Sequence, residues 1–249
     1  MDQIDTYLSF LILSGASLSE PLGTDPLRAV DQLLNRFAQG RIIQTLRKYP
    51  GQWQPEDSLK IGKGKRLVLD YYKNNSIIHF IPAAYTALSI LARDELSFST
   101  REIVPDYLFL SDLFSVEFLQ NDEQQPEFGL RKALKTFIDI GFLIPHPTLP
   151  ETFSLSSTGY RKLKQFAAFL MPFVESYRMV LRGYGELTQD SGHPRSLVKK
   201  IMGLGRQMYV NRKIDRVEAI SRVNIENALS YFTKKGIKTT KKQGIGSIL

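Results

Sequence analysis

Apolar residues recur at helical spacing along most of this chain. After Asp25-Pro26, where Asp suits a cap and Pro the first helical position, Leu27, Val30, Leu33, Leu34 and Phe37 fall on one face, and Gly40 supplies a stop. Gln3 to Leu13 reads as a short, mostly apolar helix. Ile42 to Leu46 fits either a helical continuation or a strand. Tyr49 to Gly64 holds Pro50, Gly51, Pro55, Gly62 and Gly64, the composition of a loop around a short hairpin, with the single tryptophan, Trp53, as its anchor. Helices are expected from Gly64 to Arg93, broken or kinked at Pro82. Ser99-Thr100-Arg101-Glu102 marks another helix start, and Pro105 to Leu119 carries Leu and Phe at helical spacing.

Asn121 to Glu127 is polar, contains Pro126 and reads as a linker. Beyond it, Leu130, Leu134, Phe137 and Ile138 form an apolar stripe that Gly141 ends. A turn at Pro145 to Pro150, a short strand Thr152 to Leu155 and a cap at Ser156 to Gly159 follow. Helix, Gly, strand, turn, strand, helix is half of a winged helix. The closing helix runs from Tyr160 to Arg182, with a kink expected at Pro172. Gly183 to Pro194 is a second linker, Ser196 to Tyr209 a basic helix, and Ser221 to Phe232 a further helix with Ile225, Leu229 and Phe232 on one face. The motif "amphipathic helix, Gly, short extended segment" occurs around Gly40, Gly141 and Gly236. The expected fold is mainly α: a multi-helix bundle with winged-helix-like helix–turn–short-strand elements, in three segments, 1–120, 121–190 and 191–249.

Charge changes the picture at one end. The net charge is +8. From Arg195 onward thirteen Lys and Arg stand against three acids, a balance of +10 that leaves −2 for the rest. A basic end of this kind suits anionic lipid, nucleic acid or an acidic partner. The absence of Cys excludes disulfides and thiolate chemistry. The acidic start, Met1-Asp2-Gln3-Ile4-Asp5, lacks the basic region of a secretory signal, so cytoplasmic residence is expected. No apolar run reaches the ~20 residues of a membrane span: His79 and Pro82 interrupt Ile77 to Ala92, and Pro172, Glu175 and Arg178 interrupt Phe166 to Leu181.

The richest stretch is Leu67 to Pro82. Leu67, Tyr71, Asn75 and Ile78 share a helical face, and Asn75 lies four residues before His79. Tyr71, Asn75 and His79 are therefore expected to form a polar ladder running into an apolar region, as core hydrogen bonding or as a docking surface; the ladder makes the segment 1–120 the one to watch. Tyr71-Tyr72-Lys73-Asn74-Asn75, then three residues and His79, then an apolar helix with an early Pro, resembles the C-terminal region of the membrane-associated glycerol-3-phosphate acyltransferases. All six positions match that family's block, and the resemblance extends loosely over most of the chain.

The resemblance implies a mostly helical region packed on an acyltransferase domain. Catalysis in that family uses a His followed five residues later by Asp, the His acting as general base on the acceptor hydroxyl. Here His79 is followed at that distance by Ala84, His193 by Val198 and His146 by Glu151. The pattern is absent, so no catalytic residue, metal site or cofactor is expected in this chain. The expected role is the non-catalytic portion of a glycerol-3-phosphate acyltransferase-like system of phospholipid synthesis, peripheral to the inner membrane face. Its expected partner is a catalytic acyltransferase domain or chain. Arg195, Lys199, Lys200, Arg206, Lys234, Lys235, Lys241 and Lys242 are the candidate contacts to anionic lipid. The alternative is a winged-helix nucleic-acid-binding protein, with Ser221 to Phe232 presenting Arg222, Asn224 and Asn227.

Overall fold

The computed structural model describes residues 2–46, 58–65, 68–69, 72, 76–93, 95–118, 126–187 and 194–237. Helix dominates, as the periodicity predicts, with two small antiparallel sheets. Helices α1 (Asp2–Leu13), α2 (Glu20–Thr24) and α3 (Pro26–Gln39) lead into a two-stranded hairpin, β1 (Ile43–Leu46) and β2 (Ser58–Ile61). The hairpin settles the choice at Ile42 to Leu46 in favour of strand. Trp53 lies outside the described residues. Asp25 caps α3 by accepting a hydrogen bond from the Arg28 N–H at 3.0 Å.

A single turn of 3₁₀ helix, Ile78–Phe80, opens α4 (Ile81–Leu91). The most apolar run of the sequence is thus the centre of the fold: Ala83, Ala84, Tyr85, Ala87 and Ile90 of α4 are fully buried. Pro82 sits in the first turn of α4, where its missing N–H costs nothing. It starts a helix rather than kinking one. Strand β3 (Ser97–Ser99) follows, then α5 (Thr100–Leu113), α6 (Pro126–Asp139), β4 (Leu143–Pro145), β5 (Thr152–Leu155) and α7 (Ser157–Ala167). The capping box expected at Ser99 and Glu102 is formed, with Glu102 accepting from the Ser99 N–H at 2.6 Å.

The three-stranded sheet has the order β3–β5–β4. Phe98 of β3 sits opposite Phe153 of β5, and Leu143 of β4 opposite Leu155. Helix, strand, two helices and a two-strand wing make a complete winged helix, built from α4 through β5. The half legible after Phe128 is completed by α4, β3 and α5, which precede the polar stretch at 121–127. Helix α4 packs on α5, α6 and α7.

The C-terminal part is helical: α8 (Met171–Leu187), α9 (Pro194–Val210) and α10 (Arg222–Lys234). The expected helix from Tyr160 to Arg182 is two helices, since 168–170 break it and Pro172 lies in the first turn of α8. Helix α8 runs through Gly183 to Leu187, so part of the expected second linker is helix. Helices α9 and α10 both pack on α8. Gly205 of α9 is a contact point, because a Cβ there would meet the Met179 sulfur at 2.5 Å.

Aromatic rings tie the layers into one core. Phe10 of α1 lies 5.0 Å from Phe166 of α7 and 5.8 Å from Phe137 of α6. Phe114, in the turn after α5, stacks near Tyr85 of α4 and meets Tyr177 of α8 edge-on at 5.0 Å. The winged helix and the C-terminal helices therefore share one apolar interior.

The recurring "helix, Gly, extended" motif is a helix-ending device. At Gly141 and Gly236 the residue after the helix takes a left-handed φ of 76° and 74°, and the next N–H reaches back to the Phe137 and Phe232 carbonyls. Around Gly40 the left-handed position falls one residue later. Arg41 takes it at φ 53°, while Gly40 has φ −75°.

Candidate functional site

The residues that carry the family resemblance divide between described and undescribed parts of the chain. Tyr71, Lys73, Asn74 and Asn75 lie outside the described residues. Tyr72 and His79 are both exposed. The ring of Tyr72 lies 5.6 Å from that of Phe37 on α3, and the Tyr72 carbonyl accepts a hydrogen bond from the Ser76 hydroxyl.

His79 is exposed rather than in the core, while Tyr71 and Asn75, the other members of the expected polar ladder, lie outside the described residues. It sits in the 3₁₀ turn, where three residues complete a revolution and positions i and i+3 eclipse. Ile77 and Phe80 are the pair that turn inward, at 3% and 9% exposure, so Ile78 and His79 face out. Ile78 and His79 thus share an outward face, which suits the docking-surface alternative for His79 rather than core hydrogen bonding. Of the described members of the motif, His79 is exposed in its own turn and Tyr72 lies beside α3. That helix is itself amphipathic and has no fully buried residue, with Leu27 and Leu33 about half exposed.

His146 and Glu151, the nearest spacing to a catalytic pair, are held apart by other partners. The His146 Nδ1 accepts from the N–H groups of Thr148 and Leu149 at 3.2 and 3.1 Å, closing the wing turn. Glu151 takes the Arg131 guanidinium at 2.6 Å. A shallow cavity of about 190 Å³ lies beside that ion pair, lined by Thr100, Arg131, Lys135, Asp139 and Phe153 among others. Its wall balances two cations against two carboxylates, so it shows no preference for an anion or a cation. Among the described residues no group of His, Asp or Glu is arranged to hold a metal ion.

The basic candidates also divide. Lys199 and Arg206 are exposed on α9, and Lys200 is half-buried. With Gly203 and Val210 they make one outer stripe, since 199, 203, 206 and 210 recur at helical spacing. Lys234 ends α10 and Lys235 follows it; both are exposed, and the Lys235 Nζ sits 2.8 Å from an Asp112 oxygen on α5. The side chain of Arg195, together with Lys241 and Lys242, lies outside the described residues.

Two carboxyl groups missed in the sequence bind the C-terminal helices to the winged helix. Asp112 accepts from the Tyr231 hydroxyl at 2.7 Å as well as from Lys235. These hydrogen bonds hold its carboxyl below the usual range. Glu117, in the turn after α5, accepts from Asn227 of α10 at 2.9 Å. Its other oxygen is buried facing the Tyr177 hydroxyl of α8, and neither atom has a further partner among the described residues. Burial pushes the Glu117 carboxyl up to about 7, against the opposing pull of Asn227 and Tyr177. Asn227 is therefore spent inside the fold, and Arg222 pairs with Glu226 at 2.7 Å. The face of α10 expected to read nucleic acid is largely occupied by internal contacts. A polar residue in the second turn of an amphipathic helix gives no sequence signal for such a partner over a hundred residues away.

Among the described residues no helix is long and apolar enough to cross a membrane. A family model described as glycerol-3-phosphate acyltransferase C-terminal region matches residues 1–241. No curated protein matches the chain.

Proposed function

The chain belongs to the glycerol-3-phosphate acyltransferase C-terminal-region family, and from that premise we propose that it packs on an acyltransferase catalytic domain at the inner face of a membrane, in phospholipid synthesis. The catalytic domain is supplied by the same polypeptide or by a partner chain. The reaction of the assembled system is acyl transfer from an acyl thioester to the sn-1 hydroxyl of glycerol 3-phosphate. The observation that carries the reading is the family match over nearly the whole chain. The chemistry of the residues agrees with it: no histidine here is followed five residues later by Asp. Tyr72, beside the amphipathic α3, and His79, both matched to the family block, are exposed, where a partner can reach them.

The test is direct. The purified chain is mixed with a separately expressed catalytic domain of a glycerol-3-phosphate acyltransferase, and both complex formation and acyl transfer are measured. The complex is expected to form, and the chain alone is expected to transfer nothing. Acyl transfer by the chain alone would overturn the proposal.

The nucleic-acid reading gains one observation, the completed winged helix, whose α6 exposes Arg131, Lys132 and Lys135. Its wing, however, runs His146-Pro147-Thr148-Leu149-Pro150-Glu151 without a Lys or Arg, and Glu151 neutralises Arg131. Phosphate contacts supply most of non-specific DNA affinity, so this surface is poorly charged for the task. Salt-sensitive binding to duplex DNA is the measurement that would restore it.

A further inference from the structure

Helix α9 ends in a tip that exposes two apolar side chains among cations. Val210 is 78% exposed, more than any other large apolar side chain among the described residues, and Tyr209 beside it is 43% exposed. Met208 before them and Ile214 after them are buried, which fixes the tip to the core on both sides. Arg206, Arg212 and Lys213 flank the exposed pair in sequence, all at the surface, and no acid occurs from Arg206 to Lys213. An aromatic and an aliphatic side chain flanked by cations match the boundary of an anionic bilayer, where tyrosine settles at headgroup depth and each nearby Lys or Arg adds attraction.

The backbone of the tip carries a second sign. Arg212 adopts φ 53°, and the N–H groups of Arg212 and Lys213 reach back to the Tyr209 and Met208 carbonyls at 3.0 and 2.8 Å. This is the same helix-ending turn that Gly15, Gly141 and Gly236 make with φ between 71° and 76°. Glycine adopts that conformation without strain and arginine does not. A cation near a helix C-terminus is favourable on the last turn in general, so that effect does not require the strained position. The turn therefore holds Arg212 at the tip at a cost in backbone strain, as comparable turns do at Arg41 and Glu151.

We propose that the C-terminal tip of α9 is the element that seats on an anionic lipid surface, with Tyr209 and Val210 entering the headgroup layer and Arg206, Arg212 and Lys213 meeting lipid phosphates. The proposal rests on the membrane-peripheral part of the function proposed above and narrows the broad basic end to one point of contact. Lys199 and the stripe along α9 extend the attraction without entering the lipid.

The experiment is co-sedimentation of the full chain with phosphatidylcholine vesicles, with and without phosphatidylglycerol, over a salt series. Wild type is expected to partition onto the phosphatidylglycerol vesicles and to keep a residual, salt-resistant fraction from Tyr209 and Val210. Arg212→Gly relieves the backbone strain, so it is expected to raise Tm while lowering the partition constant about fivefold, the factor for one lost cation near the surface. Val210→Asp is expected to remove the salt-resistant fraction, and Lys132→Gln, on α6, to bind as wild type. If wild type binds and both tip variants bind equally well, the tip is overturned and the membrane reading stands. If wild type fails to bind even at low salt, the membrane reading falls and the tip with it. Loss of duplex-DNA binding in Arg212→Gly, with vesicle partition unchanged, would assign the tip to nucleic acid and overturn the proposal.

Discussion

Glu117 and Asn227 meet across 110 residues of sequence, the carboxylate accepting the amide N–H at 2.9 Å. The contact joins the turn after α5 of the winged helix to α10, in a pocket that holds the Glu117 carboxyl at about 7. That value sits above the ordinary 4.5. Between the two, the native state keeps a proton that the unfolded chain releases. Stability therefore falls as pH rises through this window and levels off above it. The charged and titratable groups around the site are Tyr177 on α8 and the Asp112–Tyr231–Lys235 group one turn away. Glu117→Gln keeps the shape and removes the titration. It is expected to flatten the slope between pH 4.5 and 7 and to be more stable than wild type at pH 8 by on the order of 1–2 kcal/mol. Urea denaturation at a series of pH values measures both; an unchanged slope in the variant would remove Glu117 as its source.

Gly159 presses α7 onto the backbone of Phe142, at the entry to β4. A Cβ at this position would run into the Phe142 carbonyl, which is backbone and cannot rotate aside. Gly159→Ala is expected to cost about 2–3 kcal/mol through overpacking, although alanine favours helix. A Tm equal to or above that of wild type would show that β4 moves freely.

His79→Ala separates a surface role from a structural one. The side chain is exposed in its 3₁₀ turn, so stability is expected to change by no more than about 0.5 kcal/mol. Affinity for the catalytic domain is expected to fall. A large loss of stability with full affinity would place the His79 ring in the core instead.

Arg41 repeats the strained helix end of α3 at φ 53°. Arg41→Gly is expected to stabilise the chain by about 1 kcal/mol, read as a rise in the urea midpoint at constant m-value. A fall would mean that the arginine side chain makes contacts worth more than the strain.

Much of this architecture was legible in the residues. The stripe Leu130, Leu134, Phe137, the Asp25 cap, the Ser99–Glu102 box and the apolar run of α4 each follow from spacing and local chemistry, and each is present. Strand β3 was not, because Ser97-Phe98-Ser99 is too short to show a period and earns its strand geometry only from β5, over fifty residues later. For His79 the spacing left core and docking surface open, and the 3₁₀ turn that directs the side chain outward has no signal in a 3.6-residue period. Asn227 and Asp112 looked like solvent-facing polar residues on amphipathic helices, since nothing local announces a partner brought up by tertiary packing. The cations of the C-terminal part were countable in sequence; that Lys235 is spent on Asp112 while Arg212 stands strained at a tip is information only the fold contains.

The pairing of β3 with β5 has a consequence for how this polypeptide can be divided. The sheet takes one outer strand from before α5 and the other two from after α6, with α4 packed against helices from both sides. A backbone severed between α5 and α6 leaves neither piece with a finished sheet or a covered α4. Each piece is the other's missing half, so the two must find one another before either can fold, and the pair behaves as a complementation system in which recovery of structure reports their encounter.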